Sequence, residues 1–435
     1  MFDLSGLATN KLGRIVSSLS VSVEPPSGVT TKSRLSEELR IKAELFIDGV
    51  GIDPSASEAL EAADCQPQVH TGFEMDLETH AGRRFPSGFH LPLGLKTPFK
   101  WSRRSRYAVA YENGAFILAH RGHKLFPIRL FARPGYYSRK SQEGIPLQTI
   151  ATFVMDRNLV VYYSNECNYK DTGEDCLFCN INSTRDTYAE IEGIGWKSPR
   201  QVAEAVTAAY GEGIADHVTI TGGVISERRE IEYYVDAAEA IQESTGRADF
   251  NGTAVIAAPL DLSNIDRLKE AGYRTIALNI ELWDRDMYRA ICPGKARNSG
   301  GWEHWRSAIA YAVRVFGFGR VRSNVIAGLE PKPSTLEGVA WFADRGVVCV
   351  PSPWCPNPGS ALEGHRTPEA AWHLDVAEKA YRLLRKAGIT LDQVHDASNN
   401  DLGLVQDIWK IEAGILPEID SAARPTEGKA LEITA

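Results

Sequence analysis

The sequence has no apolar run approaching the roughly 20 residues that span a bilayer. Its opening, MFDLSGLATNKLGRIV, lacks the positive head and continuous apolar stretch of a secretory signal. A cytoplasmic protein with no membrane partner is the expectation. There is no basic excess either: 48 Lys and Arg stand against 56 Asp and Glu, a net charge of −8, so nucleic-acid binding is not indicated. Cysteine is scarce, at seven in 435 residues, and without an export signal these few thiols do not read as a disulfide framework. No internal repeat or low-complexity tract stands out.

What is present divides into three stretches. Residues 1–150 read as an α+β accessory region. Leu35, Leu39, Ala43 and Phe46 lie at helical spacing, and YAVAY and AFILAH flank the turn-forming Glu112-Asn113-Gly114 of a β-hairpin. From 151 to 390, short apolar strands alternate with amphipathic helices, the pattern of a parallel sheet with crossover helices. Six strands are expected, at 159–164, 217–221, 253–257, 275–280, 321–326 and 347–350. Their helices fall near 199–211, 230–245, 262–271, 302–316, 334–345 and 368–387. The fold class is therefore α/β, a partial (β/α)6 TIM-type barrel with its functional loops at the carboxyl ends of the strands. Residues 391–435 read as one more helix and a polar tail.

Three of the seven cysteines, Cys167, Cys176 and Cys179, fall just after the first barrel strand. Cysteines used as small core hydrophobes scatter along a chain, so this clustering points to a metal. Three thiolates on a four-iron cluster would leave one iron open to another ligand. A structural zinc site is the alternative, although no histidine lies between residues 124 and 216 to complete it nearby.

The cysteine loop, with Phe178 just before its last member, resembles the cluster loop of the radical S-adenosylmethionine (radical SAM) superfamily. It departs from the usual spacing by having eight residues in the first gap. The second strand runs into Gly222-Gly223, which resembles the glycine motif that binds the amino group of S-adenosylmethionine, with Val224 in place of the usual acid. IALNIELW at the fourth strand resembles the biotin synthase and lipoyl synthase branch. It offers Asn279 and Glu281 two residues apart, hence on one side of a strand. RSNVIAGLEP at the fifth resembles the adenine-proximal pattern, with Asn324 and Glu330 as candidate contacts. The resemblance covers residues 155 to 360. It implies a 4Fe-4S cluster on the three cysteines and S-adenosylmethionine cleaved reductively to a 5′-deoxyadenosyl radical that acts on a small-molecule substrate. It also implies an electron donor such as flavodoxin or ferredoxin, and a barrel mouth lined by apolar groups. On this reading a branched side chain at Gly223 weakens cofactor binding and leaves the cluster intact.

The other readings are sulfur insertion with an auxiliary cluster, 3-amino-3-carboxypropyl transfer, and a zinc-stabilised non-catalytic protein. Cys292, Cys349 and Cys355 are the auxiliary candidates, with incidental burial as the alternative. Arg322 and Lys295 are candidate anion partners or surface charges. Trp354, Pro356 and Pro358 form either a lid or a bend. His120 and His123 are expected to face solvent.

Overall fold

A computed structural model describes residues 30–68, 85–154, 157–164, 166–181, 195–357, 359–398 and 403–415. Pro358 and the polar tail lie outside the described residues.

The first region opens with the Thr31–Asp48 helix, which Thr30 caps by accepting from Ser33 N. A six-stranded sheet follows, built round the expected hairpin. Tyr107–Glu112 pairs antiparallel with Ala115–His120, and Asn113 and Gly114 both take positive φ at the turn. His120 departs from expectation: its ring is half-buried and stacks on Tyr107 at 4.7 Å, while His123 is exposed.

The second sheet carries the six expected parallel strands in chain order: β1 (Asn158–Tyr162), β2 (His217–Thr221), β3 (Gly252–Val255), β4 (Thr275–Ala277), β5 (Val321–Arg322) and β6 (Val347–Val348). A short antiparallel strand, Thr152–Phe153, closes the β1 edge. The chain is thus an α/β protein with a six-strand partial TIM-type barrel.

Strand alternation sorts the two faces of this sheet. Leu159, Val161, Val218, Ile220, Ala254, Ile276, Val321 and Val347 are all fully buried in the core. The inner face carries a set of polar side chains below the mouth. His217 Nε2 bonds Thr253 Oγ1 at 2.8 Å, Thr253 bonds Thr275 at 2.5 Å, and Thr219 donates to Asn158 Oδ1 at 3.5 Å. The crossover helices carry local stop signals. Pro199–Glu212, for example, starts with a Ser198/Gln201 capping box and Pro at its first turn, and ends at left-handed Gly213.

Strands β5 and β6 end earlier than their apolar runs suggested. Beyond them Ile326–Ala327 and Ser352–Pro353 pair with each other as a separate two-stranded sheet. Two helices, Arg285–Ile291 and Pro293–Asn298, were not anticipated and fill the space after β4.

The Thr31–Asp48 helix packs against the Ala370–Lys386 and Leu404–Ala413 helices. At that contact Lys42 meets Asp407 at 2.5 Å, with side chains 0% and 3% exposed. Removing one member of a buried pair strands the other charge. Lys42→Met is therefore expected to destabilise the protein by about 3–5 kcal/mol, and Lys42→Met with Asp407→Leu to recover most of the loss. Urea unfolding midpoints of the three proteins test this.

Candidate functional site at the barrel mouth

Cys167, Cys176 and Cys179 lie together at the carboxyl end of β1, half-buried, and line one cavity of 160 Å³. The long first gap is a structured turn. Cys167 leads into a one-turn helix, Asn168–Asp171, and the chain then folds back so that Glu174 N donates to Tyr169 O at 2.6 Å. Glu174 ties this turn to the Pro293–Asn298 helix: its carbonyl accepts from Gly294 N at 2.9 Å, and its carboxylate pairs with Arg297 at 2.7 Å. Leu177 N donates to Ile291 O at 2.9 Å, so the second pair of cysteines is held by the same helical element.

The glycine pair seats this loop. A Cβ on Gly223 would sit 2.0 Å from the carbonyl oxygen of Glu166, the residue before Cys167, and one on Gly222 would enter the Tyr163 ring at 2.5 Å. Asn168 N also donates to Val224 O at 2.7 Å. Both glycines line the cavity as expected. Their requirement comes from the approach of the cysteine loop and not from a special φ, since neither is among the positive-φ residues. A side chain at 223 would thus meet the cysteine loop, a demand beyond the cofactor contact expected of it.

Asn279 and Glu281 both line the cavity, but not as neighbours on one regular strand. Strand β4 stops at Ala277, and Glu281 takes a left-handed φ of +73°, a sparsely populated conformation of the kind that gathers at functional sites. Lys295 bridges them, donating to Asn279 O at 2.7 Å and Glu281 Oε1 at 3.0 Å, with its ammonium 4.5 Å from the Trp305 ring centre. Burial works against that ammonium, and Glu281, Cys176 and Cys292 outweigh it, so its pKa is raised. Lys295 is thus a buried, paired cation and not a surface charge.

The thiols differ electrostatically. The buried Cys292 thiol lies against Cys176 and lowers its pKa; burial opposes this and Lys295 reinforces it. Burial pushes Cys292 well up and Cys179 up to about 12. Cys292 is thus beside a loop cysteine, whereas Cys349 is buried in the core and Cys355 donates to Phe46 O at 3.2 Å. Among the described residues no three His, Cys, Asp or Glu side chains converge on a single metal ion.

Several expected residues fall elsewhere. Asn324 does not line the cavity; its N donates to Asn279 Oδ1 at 3.1 Å and its side chain accepts from Ser352. Glu330 braces the turn before the Arg285–Ile291 helix, accepting from Trp283 N, Asp284 N and Thr335 Oγ1, and burial raises its pKa to about 7. Trp354 is buried in the core and is not a lid over the cavity. Arg322 projects from the inner face of β5; burial lowers its pKa to about 10 against the pull of Glu281 and Tyr162, so it is not a solvated surface charge. Phe178 lines the cavity as expected. Not anticipated were Tyr169, Asp175, Glu230 and Trp305, which also line it. A second cavity of 350 Å³ adjoins it and shares Tyr169, Val224, Glu230 and Ala257.

Residues 161–330, from β1 past β5, match the family model described as the radical SAM superfamily. Those residues form a radical SAM domain, which supports membership of that superfamily. The chain is an enzyme by that membership, and the family implies an iron-sulfur cluster and S-adenosylmethionine. Among curated proteins it is similar to bacteriochlorophyllide c C-7(1)-hydroxylase of Chlorobaculum limnaeum, at 28% identity over 267 residues. That match takes in 57% of this chain and 65% of the hydroxylase, so just under two thirds of the relative's length is spanned. Among solved structures it is similar to methylornithine synthase, with a TM-score of 0.41 and 17% identity over 65% of this chain and 79% of that one. It is also similar to coproporphyrinogen III oxidase from Escherichia coli, at 0.37 and 14% over 56% and 55%. Among the described residues no helix is long and apolar enough to cross a membrane.

Gly223→Ala is expected to cut reconstituted iron to less than half, because the loop carrying Cys167 must move away. Gly211→Ala, whose added Cβ meets nothing within 4 Å, should keep full iron. Iron and sulfide assays on the two folded variants decide between a seat for the loop and a plain turn.

Proposed function

We propose that this radical SAM enzyme holds a 4Fe-4S cluster on Cys167, Cys176 and Cys179 and binds S-adenosylmethionine in the adjoining cavities. The observation that carries the reading is the single cavity walled by three thiols, the Gly222-Gly223 turn, Asn279 and Glu281. When bound and reduced, the cluster supplies the electron that cleaves S-adenosylmethionine to methionine and a 5′-deoxyadenosyl radical, which takes a hydrogen atom from an organic substrate. The protein's part is placement and exclusion. The Glu174 turn and the Pro293–Asn298 helix hold the thiols, Lys295 offsets the negative charge that three thiolates bring together, and the glycine turn lets the backbone close on the loop.

The name of the hydroxylase relative fits this reading in one respect. Hydroxylating a carbon starts from removal of its hydrogen, the step a carbon-centred radical performs. The donor of electrons would be a small redox protein of the flavodoxin or ferredoxin kind. Sulfur insertion is less favoured, because Cys349 and Cys355 are separately buried and Cys292 sits on Cys176.

After anaerobic reconstitution the wild-type chain is expected to hold about four irons and to release 5′-deoxyadenosine under reduction. Each of Cys167→Ala, Cys176→Ala and Cys179→Ala should lose that release while keeping its circular dichroism, since the apolar strands behind the loop stay buried. A variant retaining full cleavage would remove that residue from the ligand set, and colourless, zinc-loaded wild-type protein would overturn the reading.

A further inference from the structure

Glu230 is the one acid at the barrel mouth whose setting is unexplained. It stands in the first turn of the Glu227–Thr245 helix, only 4% exposed, and lines both the cysteine cavity and the adjoining one. Its neighbours have other commitments. Glu227 accepts from Leu260 N, Asp261 N and Asn264 Nδ2, Glu281 is paired with Lys295, and Glu166 faces Arg229 at 3.6 Å. Asp175 is only half-buried. Glu230 has the Ala257 N–H as a partner, and among the described residues no Lys, Arg or His pairs with it.

A carboxylate in such a place takes either a proton or a cation, because burial without a partner penalises the charged form. In the protein alone burial favours the proton, raising the pKa of Glu230 to about 8. The carboxyl offers roughly four lone-pair sites and the Ala257 amide fills one. An ammonium brings three donors and a full charge to the remainder. Position points the same way: Glu230 reaches the cavity beside Gly222, Gly223 and Val224, and Val224 leaves that loop without an acid of its own.

Resting on the function proposed above, we propose that Glu230 is the receptor for the ammonium group at the amino-acid end of S-adenosylmethionine, supplied from the following helix where the glycine loop offers only a valine. The ammonium would lie between the carboxylate and the cysteine wall, and its arrival would bring Glu230 into the charged form. Glu230 is thus a binding residue that holds one end of the ligand and takes no part in bond breaking.

The test is a cycle in which the amino group and the carboxylate are removed separately. Anaerobically reconstituted wild-type and Glu230→Gln proteins are titrated with S-adenosylhomocysteine, its deaminated analogue and 5′-methylthioadenosine, which has neither the amino nor the carboxyl group. In the wild type, loss of the ligand's amino group should weaken binding at least tenfold more than it does in Glu230→Gln. 5′-Methylthioadenosine should bind both proteins within about twofold, which certifies the fold and the adenosine pocket. Equal losses in the two proteins overturn the proposal. If Glu230→Gln fails the 5′-methylthioadenosine control, Glu230→Asp, which keeps the charge on a shorter stem, enters the same cycle. There an unchanged amino-group effect overturns the proposal and a reduced one supports it. The function proposed above fails by a different sign, a cluster-loaded wild type that binds no S-adenosylmethionine at all.

Discussion

The barrel mouth depends on one backbone contact, the approach of the Glu166 carbonyl to Gly223. No side chain fits between them, so the loop after β1 and the turn after β2 are locked at van der Waals distance. From that contact the loop runs into Cys167, and Asn168 takes the Val224 carbonyl as its second hold. The far side of the loop is clamped by the Glu174 and Leu177 bonds to the helical element after β4. The proposed ligand set, built on an otherwise irregular segment, would need both clamps, because a cluster tolerates little displacement of its sulfurs.

Charge is the second constraint. Three thiolates in one half-buried wall repel one another, and burial holds the Cys179 thiol up to about 12. Metal binding on the proposed ligand set would expel protons, which would link loading to pH and to any nearby cation. The buried Lys295 is that cation. It is held there by the Asn279 carbonyl and by the carboxylate of Glu281, whose backbone is left-handed. On the polar inner face below, a hydrogen-bonded chain runs from His217 through Thr253 to Thr275 within the barrel wall.

The sequence made the scaffold legible and left the tertiary contacts hidden. Alternation in runs such as NLVVY and HVTIT, separated by capped amphipathic helices, suffices for six parallel strands, because those periods reflect burial directly. The cysteine loop was legible for the same kind of reason, three thiols being too close together for chance packing. Strand ends were not. IALNIELW reads as one strand, but the kink at Glu281 depends on bonds to Asn324 and Ile326, some forty residues away. Glu330 and Trp354 looked like site residues because they are polar or aromatic near strand ends, and only their partners show that one braces a turn and the other fills the core. Glu230 was overlooked for the converse reason. In SERREIEYY it resembles any acid in a helical first turn, and its burial comes from the loops that close over it.

The Lys42–Asp407 pair has a consequence for synthesis. Lys42 leaves the ribosome early, and at roughly 5–20 residues per second its partner follows only after tens of seconds. Throughout that interval the helix carrying Lys42 has a face meant for burial, with a cation in it and no anion to meet it. The first region can form its sheet in that time, but its helix has to keep that ammonium hydrated. The last of the described helices therefore completes the packing of the first described one, and a nascent chain halted after β6 would hold all six barrel strands beside a Thr31–Asp48 helix that is still wet.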